Sequence, residues 1–161
     1  MEHKPPATLA LMALNAGIWF MLELLGQPAL CPSRLMAGYT PPHWAIAWNV
    51  VHADDGGWHL LYNMASLLAK GLLLELSVGS EQFAALVTVL VLLTSLFYIV
   101  LAWILTAVLG VASTYNGCVV GFSGVLFGLS VVINHSPGVA RRQPMPGPVS
   151  TPARLDFQGC F

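Results

Sequence analysis

Charge is what this sequence has least of. Asp, Glu, Lys and Arg make up 8% of its residues, against the ~25% usual in a soluble domain. The net charge of −1 leaves no basic footprint, so nucleic acid is excluded as a partner class. Cysteine is scarce as well. Cys31, Cys118 and Cys160 are widely spaced and form no C-x-x-C pair, so neither a zinc finger nor a disulfide framework is signalled. They read as reduced structural thiols. Internal repeats are missing too. What remains is apolar: 57% hydrophobic residues and a mean hydropathy of +0.74. This is the composition of a membrane protein, with length for one domain.

Four apolar stretches suit membrane spans, which need ~17–25 residues each. The first covers Thr8–Leu25. It follows Lys4 and two prolines, which resembles a signal-peptide n-region, but no clean small-residue cleavage site comes after it, so it reads as a retained span. Between Gly26 and Gly57 lies a Pro-rich region in which Trp44, Trp48 and His52 suggest an interfacial aromatic belt. The second span, Trp58–Val78, carries His59, Asn63, Ser66, Lys70 and Glu75. Polar groups are costly at that depth and point to function. His59 and Asn63, four apart, share one helix face, which Ser66 and Lys70 continue. Lys70 and Glu75 are expected to snorkel to the headgroups. The third span, Phe83–Leu109, carries no charge and reads as scaffold.

After a short polar turn at Gly110–Asn116, the fourth span is expected over Gly117–Asn134. Its Gly117, Gly121, Gly124 and Gly128 form a small-residue face for close helix approach. From Ser136 the composition changes, with five prolines and no apolar periodicity, and a disordered tail is expected over 136–161. The fold class is therefore all-α, a polytopic helix bundle over residues 1–135. Lys4 before the first span and Arg141 and Arg142 after the fourth place both termini in the cytosol. His59 and Ser123 then enter the bilayer from the same, outer face.

The stretch Gly121-Phe122-Ser123-Gly124 sets a serine between glycines at the head of an apolar run. A serine nucleophile needs a base within hydrogen-bond reach and donors aimed at the developing oxyanion. His59 and Asn63 offer N–H donors for the second task, and the glycines let the backbone expose Ser123 and its amide. A soluble nucleophile elbow is excluded, because Val125 stands where that motif needs glycine. A metal site through His52, Asp54, Asp55 and His59 lacks a recognised ligand spacing, and the acidic pair reads as a solvated turn. No cofactor or metal is expected.

The stretch from His52 to Ser66, with its His59-Leu60-Leu61-Tyr62-Asn63 core, and the stretch Gly121 to Phe127 together resemble the rhomboid intramembrane serine proteases. The resemblance runs from about Thr8 to His135. It implies a partial rhomboid fold and an endopeptidase that cuts membrane-embedded or membrane-proximal protein substrates. Ser123 would be the nucleophile, His59 and Asn63 would stabilise the oxyanion with the Ser123 amide, and Gly121 and Gly124 would support them. It also implies an internal membrane, the endoplasmic reticulum. The family core has six spans, and its base is a histidine on a later one. His135, twelve residues past Ser123 and so ~18 Å along a continuous helix, does not match that histidine, and the chain is expected to be C-terminally truncated. Two alternatives stay open beside the protease: a non-catalytic membrane protein that binds client helices, and a truncated isoform. With two spans gone, the glycine face of the fourth helix is expected to lack a partner.

Overall fold

A computed structural model describes residues 5–25, 31–39, 44–52, 57–118 and 121–136. Among these residues the regular elements are helices: α1 (Pro6–Leu25), α2 (Pro32–Met36), α3 (Trp44–Ala47), α4 (Trp58–Val78), α5 (Ser80–Leu109), α6 (Ala112–Asn116) and α7 (Ser123–His135). Helices are the natural solution for an apolar chain, because they satisfy their backbone polar groups internally. By length and composition α4 and α5 are able to cross a membrane, while the apolar run Pro6–Leu22 of α1 and the whole of α7 are shorter. The expected spans Thr8–Leu25, Trp58–Val78 and Phe83–Leu109 thus fall within α1 of 20 residues, α4 and α5, and the fourth corresponds to the 13-residue α7. The expected tail lies almost wholly outside the described residues.

Glycine sets the boundaries of α4. Gly57 precedes it at φ +81° and Gly79 follows it at φ +90°, a region that side chains with a Cβ rarely adopt. Gly79 alone joins α4 to α5, so the two run antiparallel. At the other end of α5, Gly110 at φ +67° donates its N–H to the Thr106 carbonyl and closes the helix. The expected start of the third span at Phe83 moves back to Ser80, because no residue after Gly79 interrupts the helix.

A carboxylate fixes α1 against α4. Glu75 is buried and accepts hydrogen bonds from the Ala7 N–H (2.9 Å), the Thr8 N–H (2.7 Å), the Thr8 hydroxyl (2.7 Å) and the Ser80 hydroxyl (2.6 Å). The first amides of a helix have no partner within it, so a side chain 67 residues further on supplies the cap of α1. Thr8 packs so closely on Gly71 that a Cβ there would lie 2.5 Å from the Thr8 Oγ1. At the opposite end of α1, Trp19 rests beside Gly57. The expectation that Glu75 snorkels is corrected, since its charge is turned inward to four donors. Lys70 departs from the expectation as well. Its Nζ donates to the Ser66 Oγ one turn towards the helix start, at 2.7 Å.

The core lies where α4, α5 and α7 meet: Leu67, Leu74, Phe83, Phe122, Val125 and Leu129 are inaccessible or nearly so. Within lipid such burial contributes close packing rather than removal from water. Outside the core, α5 leaves Leu92, Leu93, Leu96, Phe97 and Val100 exposed, and only 11% of its most apolar window is buried. That surface suits lipid, and a soluble core helix would be mostly covered.

Candidate functional site

The site gathers where α4 begins, the middle of α5 passes and α7 begins. Here the structure corrects the fourth span. Gly117 is extended, Gly121 has φ +122°, and the helix starts only at Ser123. The reason is a tertiary contact: the Gly121 N–H donates to the Trp48 carbonyl at 2.9 Å instead of to a helical carbonyl. The expected polar turn at Gly110–Asn116 is largely the short helix α6. Ser123 is thereby the first residue of α7, exposed, with the helix N-terminus behind it.

His59 comes to this corner from α4. A Cβ added to Gly121 would lie 2.8 Å from the His59 Cε1 and 2.9 Å from its Nε2. The imidazole edge therefore rests on the backbone two residues before Ser123. Only glycine permits that approach. The ring of His52, fully buried, meets His59 edge to face at 5.3 Å, and its Nδ1–H points to the Val50 carbonyl at 3.3 Å. Asn63 is buried one turn below His59, and one amide N–H donates to the His59 carbonyl at 2.8 Å. A carboxamide has a second N–H for another acceptor. Asp54 and Asp55 lie outside the described residues.

The glycine face is not unpartnered. Gly124 faces Thr94, 3.4 Å from the position a Cβ would take, and Gly128 faces Leu90 at 2.7 Å, both on α5. Gly121 faces His59, and Gly117 lies outside the helix. The exposed stripe of α7 is another one, running from Ser123 through Phe127 to Val131. His135 is at the far end of α7, its Nδ1–H donating to the Val131 carbonyl at 2.9 Å, as the continuous helix requires.

Several residues that build the corner carried no sequence signal of that role. Trp48 Nε1–H donates to the Ser95 Oγ at 3.1 Å, and Asn49 Nδ2–H donates to the same oxygen at 2.8 Å. The Thr94 hydroxyl donates to the Asn49 Oδ1 at 3.1 Å. This network pins the residues after α3 to α5 and so holds the Trp48 carbonyl that receives Gly121. A cavity of about 330 Å³ opens beside Ser123, bounded by Asn49, Thr94, Tyr98 and the aromatic Trp48 and Phe127. The pair Thr94-Ser95, polar in a charge-free span, was the available clue. The reading of the cysteines as reduced thiols is also corrected: Cys31 and Cys118 form a disulfide.

An apolar helix bundle with two helices long and apolar enough to cross a membrane, and with a serine at a helix head beside a histidine and an asparagine from an earlier helix, has the architecture of an integral membrane protein. The Rhomboid domain family model matches residues 45–151, and the chain belongs to the rhomboid family. It is similar to rhomboid-related protein 4 of Homo sapiens, 42% identical over 139 residues, which are 84% of this chain and 42% of that protein. Rhomboid-related protein 4 of Mus musculus is 37% identical over 137 residues, again 84% of this chain and 42% of the relative. Rhomboid-like protein 14, mitochondrial, of Arabidopsis thaliana is 46% identical over 144 residues, 83% of this chain and 42% of the relative. The chain thus spans less than half the length of these relatives. No solved structure matches it.

Proposed function

We propose that this chain carries the nucleophile and oxyanion half of a rhomboid-type intramembrane serine endopeptidase acting on membrane-embedded or membrane-proximal protein substrates. The observation that carries the reading is the seat of His59 on Gly121, two residues before an exposed Ser123. Attack of the Ser123 hydroxyl on a peptide carbonyl puts negative charge on the carbonyl oxygen. The Ser123 amide, at the unpaired and electropositive start of α7, and the N–H groups of His59 and Asn63 are the donors for that charge. The proton of the hydroxyl needs a base. His135 is the one histidine after Ser123 in the sequence and sits at the other end of α7, so the base belongs to a segment beyond the described residues or to a partner.

The location that goes with this reading is the endoplasmic reticulum membrane, with both termini cytosolic and Ser123 towards the lumen. The Cys31–Cys118 disulfide at the Ser123 end supports it, because disulfides persist on oxidising sides of membranes. The test is labelling of the purified chain in lipid nanodiscs with a fluorophosphonate probe. Labelling that disappears in Ser123→Ala is the expected result. A folded sample that stays unlabelled, with or without the co-expressed remainder of a full-length relative, refutes the protease reading. The distant His135 favours a second reading, a client-binding membrane protein that does not cut, for which photocross-linking from Phe127 or Val131 to single-span proteins is the direct check.

A further inference from the structure

We propose that Asn15 and Trp19 hold one water molecule between α1 and the start of α4, and that this water fastens the turn that carries His59. The site is separate from the Ser123 chemistry, and the proposal stands whether or not that serine is catalytic.

Thr8, Asn15 and Trp19 lie seven and then four residues apart, on one face of α1. Both ends of that face are seated on α4, Thr8 on Gly71 and Trp19 beside Gly57, so α1 and α4 run antiparallel. Asn15 falls between the two contacts, against the half of α4 that contains His59 and Asn63. It is wholly inaccessible. One of its amide N–H groups turns back to the Leu11 carbonyl of its own helix at 2.8 Å. The Asn15 Oδ1 is left without a donor, and one turn further on the buried Nε1–H of Trp19 is left without an acceptor.

Buried polar groups are rarely left unpaired. Here an acceptor without a donor and a donor without an acceptor share one helix face, and they do not bond to each other. Side chains four residues apart on a helix start from Cβ atoms ~5–6 Å apart, a gap that one small molecule bridges. The pairing selects the molecule. A cation would meet the indole N–H, an anion would meet the carboxamide oxygen, and no group among the described residues could hold a metal ion. Water accepts from Trp19 and donates to Asn15 in the same position, and buried water usually finds ~3 partners. The start of α4 offers more donors: its first amides have no acceptor within their own helix, and Gly57 at the N-cap provides no side-chain cap. The benzo edge of Trp19 next to Nε1 is the edge that meets Gly57, with Cζ2 and Cη2 at 3.6 and 3.7 Å from the position a Cβ would take. The joint therefore lies two residues before His59.

The experiment is nuclear magnetic resonance of the full chain in lipid nanodiscs, with isotope-labelled tryptophan and asparagine side chains. Trp19→Phe assigns the Trp19 indole signal and Asn15→Leu the Asn15 carboxamide. The expected result is cross-relaxation of both side chains with water, with the sign of a long-resident molecule and unaffected by a water-soluble paramagnetic chelate. In Asn15→Leu the water contact of Trp19 should be lost. Amide exchange over residues 58–61 should then speed up several-fold while α5 keeps its protection. Water contact at only one of the two side chains, quenching by the chelate, or contact of the indole with lipid protons instead of water overturns the proposal. Unchanged exchange at 58–61 in Asn15→Leu overturns the fastening of the His59 turn. Where Asn15→Leu does not fold, the parent spectrum decides through the Trp19 signal, because an indole with no resident water refutes the site.

Discussion

Gly121 and Gly124 belong to one short motif, yet the structure assigns them opposite tolerance. At Gly121 a methyl group meets two separate costs. The backbone sits at φ +122°, where a non-glycine residue carries ~1–3 kcal/mol of strain. The Cβ would also lie 2.8 and 2.9 Å from two His59 ring atoms, an overlap of the kind that costs ~1–3 kcal/mol when a packed core is overfilled. Gly121→Ala should therefore lose about 2–6 kcal/mol. Gly124 is helical, and its Cβ would stand 3.4 Å from the Thr94 Cγ2, ordinary contact. There alanine gains ~0.8–1.0 kcal/mol of helix propensity, so Gly124→Ala should stay within about 1 kcal/mol of the parent. Reversible unfolding of the purified chain in bicelles measures both. A third variant separates the two costs: in a His59→Ala background the overlap goes and the backbone strain stays, so Gly121→Ala should recover about half its penalty. Equal losses for Gly121→Ala and Gly124→Ala, or no recovery without the imidazole, would show that His59 does not rest on this loop.

Glu75→Ala removes the acceptor of four hydrogen bonds and should cost about 1–3 kcal/mol, because it leaves neutral donors of a buried site without their acceptor. Glu75→Gln keeps one acceptor oxygen and should lose less; equal stability of Glu75→Ala and the parent in the same unfolding assay would contradict the described cap. Ser95→Ala leaves the Trp48 indole and the Asn49 amide without their shared acceptor. It should cost about 1–3 kcal/mol and raise amide exchange at Gly121, whereas unchanged exchange would separate the α5 network from the serine loop.

The sequence made the long elements and the corner residues legible. Trp58–Val78 is one helix because glycines bound an uninterrupted helical run, and His59, Asn63 and Ser123 announce themselves as polar groups where apolar ones prevail. The start of α7 was not legible. Gly117 and Gly121 fit a small-residue packing stripe, and only the Trp48 carbonyl, 73 residues earlier by their numbering, explains why the helix waits for Ser123. The same holds for Glu75. It lies close enough to a span end to reach the headgroups, and its inward turn depends on Thr8 and Ser80, partners that spacing does not rank. The disulfide escaped notice because three scattered cysteines show no pairing pattern.

The cap of α1 also orders events during synthesis. Ala7 and Thr8 leave the ribosome long before Glu75 and Ser80 do. Until those residues arrive, the first amides of α1 have water or headgroups as their partners, and Thr8 has no Gly71 to settle on. Helix α1 is therefore made before the residues that fix it, and it gains its fixed place only when the turn between α4 and α5 has formed.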